Sequence, residues 1–309
     1  MRMRSVFRWI WIVVLPILFA SCEHKELCLE HTHSRRLRVG FDWSRLAGHG
    51  KPEGMRVIFF PVDGTGEPWI FDFPCGEERP IELPENDYGV ICYNYDADGI
   101  VWENENSYAE FTAATRNVLS PDGGQAHTTP SWLCGDYIDQ VRLKDIPAGT
   151  EQVITLFPAG RVCRYTYEVN GIRRIERVAD IRASLSDMVG ALIMVGDRLP
   201  DGLSESLLFG GAVAGEKVCG AFYTFGCCQG SAAPNVFRLY IRNRSGKTFV
   251  LEQDVSEQIH SVPVSGHVGD VHIVINLDFE VPDDSGDGGN TGFDVDVDDW
   301  ADVTEDIIC

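Results

Sequence analysis

The feature that most constrains the fold is an alternation of apolar and polar residues that recurs along the chain with a period of two. From Leu37 to Trp43 the apolar residues fall on one face and the polar residues on the other. The same alternation returns from Cys163 to Val169 and from Val271 to Phe279. Because a period of two matches a strand and not a helix, these stretches predict β-strands with one buried face.

Turn signals separate the alternating stretches and predict how the strands connect. The turn dipeptides are Asp63-Gly64, Asp98-Gly99, Asn170-Gly171 and Ser245-Gly246. We expect hairpins around them, and only the stretch from Ile172 to Leu192 is ambiguous. There the pattern favours a strand to about Leu185 and then a short helix. Since strands follow one another without long helices, the sequence predicts an all-β fold with antiparallel sheets.

The first 22 residues have the order of an export signal. Three arginines precede an apolar run from Trp9 to Ala20, and Ala20 and Ser21 are small residues directly before Cys22. This order predicts a signal peptide at residues 1–21 and a thioether-linked lipid on Cys22. An ordinary secretory signal and an uncleaved anchor remain as alternatives, although twelve apolar residues are fewer than the ~20 that a spanning helix needs.

Lipid on Cys22 would decide where the protein is located. Several acyl chains, palmitate among them, hold a protein firmly on a membrane without a further hydrophobic segment. We therefore expect an exported outer membrane lipoprotein that is exposed at the cell surface, with no cofactor other than this covalent lipid. The formal net charge of −21 argues against nucleic acid and anionic lipid headgroups as partners.

The same patterns divide the chain into five segments. The predicted segments are a signal peptide at 1–21, a polar tether at 22–34, an N-terminal β-sandwich at 35–160, a C-terminal β-sandwich at 161–281, and a Gly-rich linker with an acidic segment at 282–309. In the last segment Phe293, Val295 and Val297 alternate with aspartates. This is either a solvated tail or a strand that completes another sheet.

Two stretches have the spacing of metal ligands. Asn94, Asp96, Asp98 and Glu105 match a calcium loop, except that Asn94 replaces the first aspartate. The preceding stretch is β-like where such a loop needs a helix, so a hairpin turn is the favoured interpretation. Cys28, His31 and His33 also lie close together along the tether, and His31 and His33 are alternate residues. A fourth ligand is missing, and we predict no metal there.

Ten cysteines leave nine besides Cys22, an odd number without a repeated C-x-x-C spacing. One interpretation is that some of these cysteines form disulfides, as cysteines of exported proteins do. The equally good alternative is that they are buried small apolar residues.

Catalytic motifs are missing from the sequence, and His127 and His260 lie in loop-like stretches without a recognisable partner. We predict that the protein is not an enzyme. A different class of function, binding of surface glycans, would use exposed aromatic rings. The candidate rings are Trp69, Trp102, Trp132, Tyr108 and Tyr137.

Four stretches together resemble a family of lipoproteins. These are CEHKELC (22–28), RYTYEVNGI (164–172), RASLSDMVGAL (182–192) and FDVDVDDW (293–300). They resemble fimbrillin-like lipoproteins of Bacteroidales, of the minor fimbrial subunit or anchor type. The resemblance implies two tandem transthyretin-like Greek-key β-sandwich domains with few short helices. It also implies an anchor or accessory role in pilus assembly or adhesion, with other fimbrial subunits as partners.

The resemblance carries two further expectations. Such subunits donate a strand to the sheet of a neighbour, a role that Phe293, Val295 and Val297 would take here. Polymerising members are cleaved at an arginine in the first strand, which would be Arg36 or Arg38. No motif singles out either arginine, and an uncleaved anchor is the better match.

Overall fold

The structure is a computed structural model that describes residues 34–46, 50–144, 146–147, 150–228, 231–261 and 269–282. Within these ranges all residues after Ser34 belong to one compact unit. No helix among them is long and apolar enough to cross a membrane.

Strands make up most of this unit. They are β1 (Ser34–Phe41), β2 (Gly54–Pro61), β3 (Trp69–Pro74), β4 (Arg79–Pro84), β5 (Asp87–Asn94), β6 (Val101–Glu103), β7 (Thr112–Ala114), β8 (Asn117–Leu119), β9 (Gln125–Thr128), β10 (Cys134–Arg142), β11 (Gln152–Leu156), β12 (Ala159–Gly160), β13 (Cys163–Arg173), β14 (Val178–Met188), β15 (Ala191–Ile193), β16 (Glu205–Gly210), β17 (Ala212–Ala214), β18 (Lys217–Thr224), β19 (Val236–Asn243), β20 (Thr248–Asp254) and β21 (Asp270–Glu280). The described helical segments are the 3-10 turns Trp43–Arg45 and Ile175–Arg177 and the short helix α1 (Ser256–His260).

The first sandwich packs a three-stranded sheet against a five-stranded sheet. Their strand orders are β11-β1-β4 and β12-β10-β5-β2-β3. Alternate side chains of both sheets meet in one apolar core, as the period-two pattern requires. Members of this core include Leu37, Val39, Val57, Phe59, Phe73, Tyr88, Val90, Cys92 and Cys134.

The second sandwich has a four-stranded sheet, β17-β18-β13-β21, and a six-stranded sheet, β20-β19-β14-β16-β9-β8. Its core is the larger of the two and is rich in aromatic rings. Members include Tyr165, Tyr167, Val169, Leu185, Phe209, Phe222, Phe237, Ile273 and Ile275.

A third, smaller sheet, β15-β7-β6, contributes to a separate apolar cluster. This cluster takes the other side chains of the five-stranded sheet, such as Ile58, Ile91 and Tyr93. Two pairings link strands from early and late parts of the chain, β7 with β15 and β9 with β16. The predicted division of the chain at residue 160 stays a prediction. In these two pairings, a strand that precedes residue 160 pairs with a strand that follows it.

The predicted all-β fold is confirmed, and so are two predicted hairpins. β2 pairs with β3 around Asp63-Gly64, and β19 pairs with β20 around Ser245-Gly246, both antiparallel. The alternation from Cys163 to Val169 also places its apolar side chains in the core, where each is at most 1% exposed.

Three local predictions are wrong. β5 does not pair with β6 across Asp98-Gly99, because β5 lies between β2 and β10. Asn170-Gly171 does not end its strand: Gly171 lies within β13, opposite a bulge that Leu277 and Asp278 form in β21. Gly171 has φ +83°, and a side chain there would overlap the Leu277 carbonyl. The residues after Leu185 continue as β14 and then β15, with no helix.

The expectation of purely antiparallel sheets also fails at three pairs. β1 runs parallel to β11, β13 runs parallel to β21, and β9 runs parallel to β16. Parallel pairs need long connections between the strands, and in the first two cases much of a sandwich lies between the partners. A local pattern contains no information about such distant pairing.

Candidate functional site

The edges of the sheets are the candidate surface for assembly. In the described structure nine large hydrophobic side chains are exposed, and several of them lie on edge strands of a sheet. On those edge strands they are Leu119 of β8, Val153 of β11, Trp69 and Ile70 of β3, Val213 of β17 and Val101 of β6. An edge strand offers unpaired backbone groups to another strand, so apolar side chains there favour strand addition.

The first strand, β1, differs from these edges because it lies between β11 and β4. Its alternation turns Leu37 and Val39 into the core, where both are fully buried. The other face carries the arginines that the family resemblance points to. Arg38 donates from its Nη2 to Glu151 at 3.1 Å, while Arg36 is exposed. A protease would reach the backbone of β1 only after the strand had separated from both neighbours.

The predicted calcium loop follows β5, but its first residue already has another role. Asn94 is 1% exposed, and its amide oxygen accepts from the backbone N–H of Cys134 at 2.7 Å. Its amide nitrogen donates to Asp96 at 2.8 Å, and Asp96 also accepts from the N–H of Glu53. The contacts of Asn94 are those of a buried residue that joins β5 to β10. Calcium binding by Asn94, Asp96, Asp98 and Glu105 stays a prediction.

Across the described ranges, this loop included, no group of three or more His, Cys, Asp or Glu side chains is arranged to hold a metal ion.

The five aromatic residues proposed for glycan binding do not form an exposed row. Trp69 is 43% exposed, whereas the other four are half-buried. Trp102 stacks on Tyr93 with ring centroids 3.9 Å apart, and Tyr108 donates its hydroxyl to Asp139 at 3.0 Å. Trp132 and Tyr137 pack against apolar clusters. The glycan-binding alternative is thus left with one ring that faces solvent.

His127, one of the two histidines without a recognisable partner in the sequence, has a partner in the fold. Its Nδ1 lies 3.4 Å from a carboxylate oxygen of Glu205 and 3.3 Å from the hydroxyl of Thr115. Burial raises the pKa of Glu205, and the nearby His127 opposes this shift. The hydroxyl of Thr115 donates to the carbonyl of Gly190. The Thr115 hydroxyl is therefore engaged in a structural hydrogen bond, whereas a catalytic hydroxyl would have to be free to react.

A cavity of about 560 Å³ opens at one end of the second sandwich. The sequence alone does not reveal it, because its lining comes from four separate segments. The lining residues are Cys163, Tyr165, Val189, Asp197, Arg198, Leu199, Pro200, Asp201, Gly202, Phe225, Gly226, Cys227 and Cys228. Next to it, the buried Arg161 forms ion pairs with Asp136 and Asp197. No pattern in the sequence marks Arg161 as buried.

Several predicted site residues lie outside the described residues. They are Cys22, Cys28, His31, His33, Phe293, Val295 and Val297. Lipidation and strand donation therefore remain predictions.

Sequence comparison finds a relative of Bacteroides ovatus named "Putative fimbrium anchoring subunit Fim4B". The two chains are 27% identical over 188 residues, which is 59% of this chain and 54% of the relative. This chain thus spans about half the length of the curated relative that it matches.

Solved structures share the fold. A protein of Bacteroides ovatus described as a "putative adhesin" aligns with a TM-score of 0.62 at 20% identity, covering 84% of this chain and 98% of its own. The fimbrial anchor protein Mfa2 of Porphyromonas gingivalis aligns with a TM-score of 0.50 at 15% identity, covering 78% and 91%. The resemblance to fimbrillin-like proteins of Bacteroidales is confirmed by these comparisons.

A family model matches residues 21–210, which is more than half of the chain. The family is described as "Domain of unknown function (DUF5119)". The chain belongs to this family.

Proposed function

We propose that this protein is an exported subunit of a fimbrium that acts at the cell surface as an anchor or accessory subunit, without catalytic activity. The observation that carries the proposal is the sequence relation to a fimbrium anchoring subunit. The fold agrees with a role in assembly, since several of its edge strands expose apolar side chains. Such edges pair with further strands more readily than polar ones.

A lipid on Cys22 would supply the anchoring half of this function. The described structure begins at Ser34 with a strand that is paired on both sides. Lipid at Cys22 would therefore be separated from the folded unit only by the tether at 23–33. A tether of this length keeps the sandwiches close to the membrane to which the acyl chains bind.

A donated strand would supply the assembly half. Phe293, Val295 and Val297 form an apolar face that alternates with aspartates, and a short strand of this kind needs another sheet to bury that face. A neighbouring fimbrial subunit with an open sheet edge is the partner that fits this chemistry.

In this proposal β1 remains in place and is not removed by cleavage. Leu37 and Val39 are completely buried in the first core, and Arg38 is paired with Glu151 on the surface. Loss of the strand would expose the first core to water. An anchor that stays folded on its membrane has no need of that step.

Deletion of residues 285–309 tests the assembly half. We expect the deletion to abolish co-purification of fimbrial partners from detergent-solubilised cells, while the protein remains in the membrane fraction. A triple change of Phe293, Val295 and Val297 to Asp should have the same effect. A matched control changes Asp294, Asp296 and Asp298 to Asn, which keeps the apolar face and should retain the partners. If partners still co-purify with the deletion variant, strand donation by this segment is wrong.

A further inference from the structure

Two thiols meet at the cavity of the second sandwich, on elements that belong to opposite sheets. Cys163 opens β13, whose alternation turns its side chain into the core between the sheets, and it is 1% exposed. It lies opposite Thr224, the last residue of β18, in antiparallel register. Opposed residues of this kind have Cα atoms about 4.5–5.5 Å apart.

Cys227 follows three residues after Thr224, where the chain has left that sheet. The backbone of Cys227 forms an isolated antiparallel β-bridge with Met188 at the end of β14, and β14 belongs to the six-stranded sheet. The carbonyl of Gly226 accepts from the N–H of Val189, which fixes the crossing. The segment thus passes from one sheet to the other directly beside Cys163. Cys227 packs against the core cluster that contains Cys163, and both line the cavity.

We propose that Cys163 and Cys227 are an oxidisable pair that forms a disulfide when a small disulfide compound enters the cavity. Both thiols are free in the structure. Cys227 is half-buried and Cys163 is buried, so an incoming reagent meets Cys227 first. The bond would join the two sheets of the second sandwich at their open end.

The reaction is a pair of thiol–disulfide exchanges. The thiolate of Cys227 attacks one sulfur of the reagent, forms a mixed disulfide and releases the first thiol. The thiolate of Cys163 then attacks the sulfur of Cys227 and releases the second thiol. The protein loses two electrons and two protons, and the reagent disulfide gains them as two thiols.

The environment makes this exchange slow at neutral pH. Burial, together with the nearby charge of Cys227, raises the pKa of Cys163 to about 12. Burial also raises the pKa of Cys227. Because the thiolate is the attacking form, the rate of closure should increase with pH.

Another pair of buried thiols provides a contrast within the same molecule. Cys92 and Cys134 lie on adjacent strands of one sheet, where Cys92 is opposite Asp136 and not opposite Cys134. Diagonal neighbours of this kind are about 7–8 Å apart, too far for a disulfide without movement of the backbone. Neither residue lines the cavity. These two thiols should stay reduced.

The test is to incubate the purified protein with mixtures of oxidised and reduced glutathione, alkylate the remaining thiols and identify linked peptides by mass spectrometry. We expect a peptide that joins Cys163 to Cys227 and accumulates faster at pH 8.5 than at pH 7, with Cys92 and Cys134 still alkylated after denaturation. The cross-link should persist in Cys228→Ala and Cys75→Ala and be absent from Cys227→Ala.

Thermal unfolding provides a second readout. Cys219 is disulfide-bonded, so oxidised wild type is compared with Cys227→Ala treated in the same buffer, where that bond is common to both. The cross-link should raise the melting temperature of the wild type by roughly 5–10 °C relative to the variant. The proposal is wrong if Cys227 is found only as a mixed disulfide or joined to Cys228. It is also wrong if Cys163 remains fully alkylatable after oxidation.

Discussion

Each sandwich contains a strand that runs parallel to one much later in the chain, β1 with β11 in the first and β13 with β21 in the second, and the two pairs differ in length. β1 and β11 share five aligned residue pairs, whereas β13 and β21 share nine. β1 turns two large apolar side chains fully into its core, Leu37 and Val39. β13 contributes an entire row that includes two tyrosines. The same parallel arrangement thus gives β13 a longer pairing and a larger buried row than β1.

The difference follows from the area that each strand buries. A fully buried Leu or Val side chain stabilises the fold by about 1.5–3 kcal/mol, and buried aromatic rings remove more surface from water. Tyr167 contacts the rings of Phe209 and Phe237, and its hydroxyl donates to the carbonyl of Gly210. We therefore expect β13 to open only when the whole unit unfolds, and β1 to open earlier.

The largest effect should come from a change at Gly171 of β13, opposite the bulge of β21. Gly171 has φ +83°, and a side chain there would overlap the backbone carbonyl of Leu277 in β21. Gly171→Val should cost about 3–5 kcal/mol of unfolding free energy, measured by urea denaturation. Gly40 in β1 is the control, because the atoms nearest to a Cβ there belong to the flexible side chain of Glu78. Gly40→Ala should change stability by less than about 1 kcal/mol, and equal costs at the two positions would remove the contrast.

The next prediction compares one core side chain of β13 with one of β1. Tyr167→Ala removes a buried ring and should destabilise the protein by about 3–5 kcal/mol. Val39→Ala removes two carbons from the first core and should cost about 2 kcal/mol. Chemical denaturation of both variants measures the difference. A larger loss of unfolding free energy for Val39→Ala would mean that β1 is held more firmly than β13.

Hydrogen exchange measures the same contrast without mutation. Amides of residues 37–41 should exchange through openings of lower free energy than amides of residues 165–169, since fewer buried contacts hold β1. Native-state exchange read by mass spectrometry separates the two segments. Identical protection would show that both strands open in a single cooperative step.

The smallest effect concerns pH and the second sandwich, where β9 joins β16. Burial raises the pKa of Glu205 above its usual value, and His127 and Glu103 are the charged neighbours. A raised carboxyl pKa means that its contribution to stability is complete below about pH 4.5 and is lost as the pH rises through the folded value. Glu205→Gln should therefore flatten the decrease in melting temperature above pH 4.5. An unchanged pH profile would show that Glu205 does not carry this dependence.

Much of the fold could be predicted from the sequence because strand alternation and hairpin turns are local properties. The rows that begin at Leu37 and Cys163 face their cores as predicted. The pairing of β5 and the bulge opposite Gly171 could not be predicted, since both depend on strands distant in sequence. Asn-Gly supplies the positive φ that a tight turn needs, but here Gly171 adopts its positive φ inside a continuous strand.

The candidate site was less accessible to prediction. The thiols of Cys163 and Cys227 are far apart in sequence and meet only because the chain crosses between sheets after β18. Asn94 fits the spacing of a calcium loop, but it is buried and its amide oxygen accepts a hydrogen bond from the backbone N–H of Cys134. Spacing alone does not show whether a side chain points to solvent or into the core.

Replacement of Cys22, followed by locating the fibres, measures whether this protein anchors a fimbrium. Cells that carry Cys22→Ser in the chromosomal copy are compared with wild type, and fimbriae are quantified by immunoblot in the washed cell fraction and in the culture medium. If the protein anchors the fimbrium through Cys22, fibres shift from the cells to the medium while their total amount is maintained. Fibres that remain on the Cys22→Ser cells at the wild-type level would contradict it.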